Sequence, residues 1–310
     1  MTAGSGAVWK CRPGQLVQAL RLPFTTASIL PYICGAMLAP APFRSGLFLL
    51  GLLAVTATHL SANVINDYAD ARSGVDGLNP GYYGFFGGSK LIQQGILPAR
   101  FFLLAGLVLA VAAALSVLLC ALLLGRPGLV LIFAMVCLAG WAYSCPPAAL
   151  AYHGLGELTL FLLFGMATVC GAYILQADVI TADALLLSLP HGFLVAGILV
   201  ANEVPDVQED QLAQKRTLVV RIGAQRGYLL YALLVFLAAA SVVVLVLRNT
   251  VPPAGLLAIP AFGLPATSAT LRLRRAWADK LQLVQASKLA IAAHIAASLA
   301  IIASLAFMKG

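Results

Sequence analysis

Charge is what this chain has least of. Asp, Glu, Lys and Arg together make up 10% of its 310 residues, against about 25% in an ordinary soluble domain. Acidic residues number 11 and aromatic residues 8% of the total. A soluble core cannot absorb what replaces them, a hydrophobic share of 61% and a mean hydropathy of +0.96, so the composition is that of an integral membrane protein. The same numbers exclude disorder, collagen-like repeats and coiled coil. A transmembrane β-barrel is excluded because its strands alternate in polarity, whereas the apolar runs here are continuous. The six cysteines form no CxxC pair and lie mostly within apolar runs, which fits small buried hydrophobes better than a disulfide framework or a metal site.

About 20 apolar residues cross a ~30 Å hydrocarbon core as a helix. Nine segments of that kind are present, at 22–43, 45–65, 101–124, 127–145, 158–177, 184–203, 227–247, 249–271 and 289–308. The expectation is therefore an all-α integral membrane protein, with nine transmembrane helices bundled around a central cavity and a single domain over 1–310. The first segment contains Pro23 and Pro31 and lacks a persuasive cleavage site, so it reads as a mature helix rather than a signal peptide. With the N-terminus in the cytoplasm, fifteen of the nineteen basic residues fall on that side, leaving Arg44, Arg126, Arg248 and Lys309 outside. This asymmetry predicts N-in/C-out. The net charge of +8 then marks a face apposed to anionic lipid and gives no argument for nucleic acid.

The scarce acids are not scattered. Seven of the eleven fall in two windows, Asp67, Asp70 and Asp76, then Glu203, Asp206, Glu209 and Asp210. Asn63, Asp67 and Asp70 are spaced i, i+4, i+7, one face of a helix, and Asn202, Asp206 and Asp210 are spaced i, i+4, i+8, which predicts the same. Ionised groups at membrane depth cost ~2.5–3.5 kcal/mol on insertion scales and usually serve a function. The motifs at 63–76 and 202–217 lie four apolar segments apart, so they return to one side and can face each other as a pseudo-repeat. Converging carboxylates repel unless a cation is present. Hard oxygen ligands select Mg²⁺ or a similar ion, which keeps waters and is completed by phosphate oxygens. A diphosphate held through Mg²⁺ is the chemical implication. Lys90, in Gly87-Gly88-Ser89-Lys90, and Lys215, Arg216 and Arg21 are candidate phosphate cations, although the arginines equally suit positive-inside anchoring.

At these residues the sequence resembles the UbiA superfamily of intramembrane aromatic prenyltransferases. Asn63-Val-Ile-Asn66-Asp67-Tyr68-Ala-Asp70 with Gly74-Val-Asp76 is similar to the first aspartate-rich motif of that family, and Asn202-Glu-Val-Pro-Asp206-Val-Gln-Glu-Asp210 with Lys215-Arg216-Thr217 to the second. The pattern is most similar to the 1,4-dihydroxy-2-naphthoate polyprenyltransferase branch of menaquinone synthesis. Gly87-Gly88-Ser89-Lys90, Tyr152-His153-Gly154-Leu-Gly156-Glu157 with Gly165, Tyr173-Ile-Leu-Gln176 and Arg21-Leu-Pro-Phe-Thr25 support that branch. Gln214 stands where the family often has glycine, and Lys90 where arginine is common.

The resemblance implies Mg²⁺ on Asp67, Asp70, Asp206 and Asp210 with Asn63 and Asn202 in support, and Lys90 among the catalytic residues. It implies a polyprenyl diphosphate and an aromatic acid as substrates within the lipid bilayer, in a bacterial cytoplasmic membrane with the site toward the cytoplasm. The allyl cation would meet Tyr68, Tyr143 or Tyr173, and the aromatic acceptor His153 and Glu157. A 4-hydroxybenzoate-like or another aromatic acceptor stays open. The reading of a different class is an ion-coupled transporter, which intramembrane acids also mark. His59, His191 and His294 lack metal spacing and read as packing residues.

Overall fold

A computed structural model describes residues 12–73, 83–86 and 88–309. Asp76, Gly74 and Gly87 of the motifs above lie outside the described residues. Among the described residues the chain is helical and contains no strand, as lipid requires of a spanning backbone that must satisfy its own hydrogen bonds. The helices run α1 (Pro13–Leu20), α2 (Thr26–Leu38), α3 (Ser45–Ser73), α4 (Ala99–Leu124), α5 (Gly128–Ser144), α6 (Gly156–Leu160) and α7 (Thr168–Ala177). There follow α8 (Ala182–Glu203), α9 (Val207–Leu212), α10 (Leu218–Ile222), α11 (Gly227–Leu247), α12 (Ala258–Arg275) and α13 (Lys280–Lys309). A π-helical turn, Phe161–Ala167, joins α6 to α7.

Seven helical stretches among the described residues are long and apolar enough to cross a membrane: Ser45–Arg72, Ala99–Leu124, Gly156–Ala177, Ala182–Glu203, Ala224–Leu247, Pro253–Arg275 and Lys280–Met308. The remaining two of the nine expected segments are the shorter apolar helices Leu22–Leu38 and Gly128–Ser144. The last helix begins at Lys280, nine positions before the apolar run that marked it, so Lys280 and Lys288 ride on its first turns.

The core is built around α8, which packs against α2, α7, α11 and α13 and against the π-helical turn. Small residues set these distances. A Cβ on Gly165 would stand 2.7 Å from Gly192 Cα, so the π-turn and α8 approach backbone to backbone, the close packing that drives helix association in lipid. By contrast α4 and α5 lie at the rim, with Leu122, Leu131 and Leu138 more than 60% exposed as suits contact with lipid tails. The three histidines are packed inside as expected. His59 contacts Ser28 Oγ at 2.8 Å, His191 contacts Ser298 Oγ at 3.2 Å, and the rings of His191 and His294 lie 6.0 Å apart.

Candidate functional site

The described part of the first window is carried on one unbroken helix. Asn63, Asp67 and Asp70 all lie within α3, on the face that the i, i+4, i+7 spacing predicts. Asn63 Nδ2 donates to the Leu20 carbonyl at 3.1 Å. Asp67 is 2% exposed and is held from two sides. Arg21 pairs with its Oδ1, and the Ser89 backbone N–H donates to Oδ2 at 3.2 Å. Arg21 sits at the C-cap of α1 with φ 50°, a turn that swings its side chain back onto α3. The 88–90 stretch is fixed in turn by Gln18 Nε2, which donates to the Ser89 carbonyl at 2.7 Å. Lys90 adopts φ 60° and is 2% exposed, so the segment beside Asp67 is a buried, shaped loop. Asp70 accepts from Asn66 Nδ2 at 2.9 Å, and Asn66 accepts from Ser144 Oγ at 3.0 Å, which ties the end of α5 to the motif.

The second window departs from the expected single face. Helix α8 ends at Glu203, residues 204–206 form a turn, and Asp206 becomes the N-cap of α9. Pro205 explains the break, since it has no N–H to give to Ala201 and its ring crowds that carbonyl. Asn202 therefore lies on α8, and Asp210 one helix further on. Asp206 Oδ1, Asn202 Oδ1 and Glu209 Oε2 are buried without a hydrogen-bond donor. Burial, reinforced by the neighbouring Asp210, pushes the Asp206 carboxyl up to about 7. Burial also raises Asp210, with Lys215 partly offsetting it. Lys215 Nζ lies 3.4 Å from Asp210 Oδ1 and 5.2 Å from the centre of the Tyr152 ring. Burial alone would lower Lys215, but Asp210 and Asp70 reverse this and hold its ammonium above the ordinary lysine value.

Asp70 thus acts on the same lysine and on the same Tyr152 ring as Asp210, so the two windows converge. Tyr143 stands in the field of Glu203, Glu157, Asp210 and Asp70. Other expected site residues are placed differently. Tyr68 receives a hydrogen bond from Arg72 at 3.0 Å and packs on the α1–α3 side. His153 is exposed, its Nδ1 3.1 Å from the Ala149 carbonyl. Arg216 is exposed, and its backbone N–H donates to Tyr152. Arg221 forks onto the carbonyls of Arg216 and His153 at 2.9 and 2.7 Å, stitching the 150–156 loop to the 214–221 loop.

Tyr173 is buried with Ala39, Cys170 and Ala184 at the other end of the span that Glu157 opens, about 24 Å away at 1.5 Å per residue. Nearby, Gln176 clamps Arg44 through its backbone N–H and carbonyl at 2.8 and 3.3 Å, and Arg44 pairs with Asp178 at 2.6 Å. The Tyr173–Gln176 stretch is a structural lock, and Tyr173 stands far from any cation formed at the acid windows.

Sequence reasoning passed over three partners. Lys280 of α13 pairs with Glu209, Tyr152 stacks under Lys215, and Glu203 is buried beside Glu157. A basic residue at a helix start reads as anchoring, and nothing in sequence couples positions 209 and 280.

Among the described residues no three His, Cys, Asp or Glu side chains are grouped closely enough to hold a metal ion by themselves. The donors available are carboxylate and amide oxygens, several of them buried without a partner. That set fits Mg²⁺, which takes few protein oxygens and completes its shell with water and phosphate.

The profile of the UbiA prenyltransferase family matches residues 28–292. Over 218 residues the chain is 33% identical to the 1,4-dihydroxy-2-naphthoate octaprenyltransferase of Mycobacterium tuberculosis, covering 68% of this chain and 70% of that one. In fold it is similar to a UbiA homologue of Aeropyrum pernix, with TM-score 0.72, 18% identity and coverage of 92% and 98%. It is also similar to a UbiA homologue of Archaeoglobus fulgidus with DMAPP and Mg²⁺ bound, with TM-score 0.65, 17% identity and coverage of 93% and 99%.

Proposed function

The chain belongs to the UbiA prenyltransferase family, an integral membrane prenyltransferase, and from that premise we propose that it transfers a polyprenyl group from a polyprenyl diphosphate to 1,4-dihydroxy-2-naphthoate. The convergence of the two acid windows on Lys215 is the observation that carries the reading. The domain covers 1–310 as nine membrane helices around a central cavity, N-in/C-out, in a bacterial cytoplasmic membrane with the site at the cytoplasmic face. A cysteine at Gln93 should react with an impermeant maleimide only from that face; labelling from outside intact cells inverts the topology.

Asp67, Asp70, Asp206 and Asp210, with Asn63 and Asn202, supply the oxygens for Mg²⁺. When bound, that ion adds positive charge against the diphosphate oxygens and favours their departure. Lys90, Lys215 and Arg21 bind and orient the diphosphate, and Arg21 exchanges the Asp67 carboxylate for phosphate as the substrate enters. Electrostatic stabilisation of the leaving oxygens lets the allylic C–O bond break heterolytically. Tyr143 presents its ring face to the allyl cation, the Tyr68 ring already having Arg72 over it at 5.8 Å, and Glu157 lies on the acceptor side. The ring carbon bearing the carboxylate attacks the cation, and that carboxylate departs as CO₂, so no further acid or base is required at the carbon.

The wall of apolar helices excludes water from the cation. The transporter reading is set aside by the family assignment. The test is an acceptor screen with purified protein, Mg²⁺ and a prenyl diphosphate, read by product mass. A prenylated, decarboxylated naphthalenediol is expected, and its abolition by EDTA with return on Mg²⁺. Turnover of 4-hydroxybenzoate but not the naphthoate overturns the acceptor.

A further inference from the structure

The end of the molecule opposite the acid windows carries a cavity that the reaction does not use. Helix α5 finishes at Ser144, tethered to Asn66 of the first window, so its start, with the α4–α5 turn, lies at the far side of the span. A cavity of about 270 Å³ opens there between that turn and the end of α7. Leu124, Leu129, Ile132 and Ile174 form its apolar walls, and Arg126 and Asp178 are its charged members. Arg126 is exposed and joins no ion pair among the described residues. Asp178 gives Oδ2 to Arg44 at 2.6 Å, and that hydrogen bond holds its carboxyl below the usual carboxylate range, so it stays ionised. The Nη1 of Arg44 is buried without an acceptor. Two guanidinium groups therefore stand against one carboxylate, and donors are in surplus.

Surplus positive charge at the end of a membrane helix, set over apolar walls, suits a phosphate that has chains attached. A soluble anion would leave the walls wet, and a bare hydrocarbon chain would leave Arg126 without a partner. The apolar path also continues beyond the cavity. Gly128, Ile132 and Met135 are spaced i, i+4, i+7 and share one face of α5, on which Ile132 and Met135 are exposed. We propose that this cavity seats the headgroup of a phospholipid from the leaflet opposite the acid windows, with Arg126 on its phosphate, Asp178 Oδ1 accepting from a donor at the headgroup terminus, and one chain laid along Ile132 and Met135. Arg44 occupies only Oδ2, so Oδ1 is open to an ammonium or a hydroxyl. A trimethylammonium terminus has no hydrogen to donate. The bound lipid ties the α4–α5 turn, at the rim of the bundle, to the end of α7, whichever aromatic acceptor is prenylated.

The experiment uses the full-length protein, purified in detergent and stripped of lipid, with binding read by native mass spectrometry and by the upward shift of thermal unfolding. The probes are phosphatidylglycerol, phosphatidylethanolamine and phosphatidylcholine with identical chains. The first two should bind at least ~tenfold more tightly than the third, the size of one hydrogen bond to a charged group. Arg126→Gln should weaken all three by at least ~tenfold. Gly128→Leu should do the same by filling the cavity, because a Cβ on Gly128 meets nothing within 4 Å and the packing around it is left alone. Both variants should elute from gel filtration as the wild type does and keep their prenyl transfer in lipid-free detergent. Equal wild-type affinity for the three lipids overturns the inference, as does undiminished binding in both variants. Glycerol phosphate stabilising the protein as strongly as phosphatidylglycerol overturns it in favour of a soluble ligand. If Arg126→Gln does not fold, Gly128→Leu and the wild-type lipid series still decide.

Discussion

The two acid windows look alike in sequence and are built on opposite plans. In the first, Asp67 lies on a continuous helix and is satisfied by the protein, with Arg21 on one oxygen and the Ser89 N–H on the other. In the second, Pro205 breaks the helix, and Asp206 is left with a buried oxygen that nothing reaches. Both halves carry counter-charge, since Lys215 and Lys280 pair with Asp210 and Glu209 in the second; what sets the second apart is a buried Asp206 oxygen without a hydrogen-bond donor. A pocket of this kind is pre-shaped on the Arg21 side and becomes complete only when a ligand arrives.

Deleting the carboxylates should expose this difference most strongly. Asp67→Ala and Asp206→Ala should each lower turnover by about 10³-fold or more, yet their effects on the fold should have opposite signs. Removing Asp67 takes from Arg21 its carboxylate partner, at a side chain that is 25% exposed. That should cost about 1–3 kcal/mol, less than for a fully buried pair. Removing Asp206 deletes an unpaired buried acceptor and should leave thermal stability unchanged or raised. Equal destabilisation of the two variants, measured by thermal unfolding in detergent, breaks the contrast.

The next effect is one of pH. With Asp206 pushed up to about 7 and Asp210 also raised, protons compete with a cation for the second window. Apparent Mg²⁺ affinity should rise as pH approaches about 7, by up to tenfold per unit, and level off above it. Without metal the sign for folding is the reverse. The folded state holds the proton more tightly than the unfolded chain, whose Asp titrates near 3.8, so stability in EDTA should fall as pH rises from about 4 to about 7. Asp206→Asn should flatten both profiles, and a metal affinity indifferent to pH between 5 and 8 contradicts this picture of the second window.

The smallest effect concerns the loop that delivers Lys215. Gln214 takes φ 57°, a left-handed conformation that costs a side-chain-bearing residue about 1–2 kcal/mol and that glycine adopts freely. Gln214→Gly relieves that strain but gives the unfolded chain more freedom, worth about 0.4–1 kcal/mol. The net change should be stabilising by about 0–1.6 kcal/mol, with turnover altered less than about twofold. A large loss of activity would mean that the glutamine itself orders the second window.

Much of this was legible in the residues. Apolar runs located the helices because lipid imposes length and composition together. The first window obeyed its spacing because nothing between Asn63 and Asp70 interrupts a helix. The second did not, and the reason was printed in it: an i, i+4, i+8 face presumes helical backbone throughout, and Pro205 denies that. Pairings between distant elements were out of reach. Arg21 with Asp67, Lys280 with Glu209 and Glu157 beside Glu203 depend on how helices pack, and side-chain periodicity along one helix says nothing of its neighbour. Tyr173 shows a further limit, since a motif shared within a branch can record a packing lock rather than chemistry.

Helix α5 has one more consequence. Its 17 residues extend about 26 Å, short of the ~30 Å hydrocarbon thickness, and its last residue Ser144 is tethered to Asn66 beside the acid windows. In the proposed nine-helix arrangement α5, which is not among the seven stretches long and apolar enough to cross a membrane, would be a short wall fixed at the reaction end, and the surrounding bilayer would thin by some 4 Å on that flank, at about a fraction of a kcal/mol per ångström. The site would then sit at the bottom of a shallow dimple, where a lipid-borne diphosphate headgroup travels less far from its own leaflet, and host membranes of greater thickness would resist the deformation.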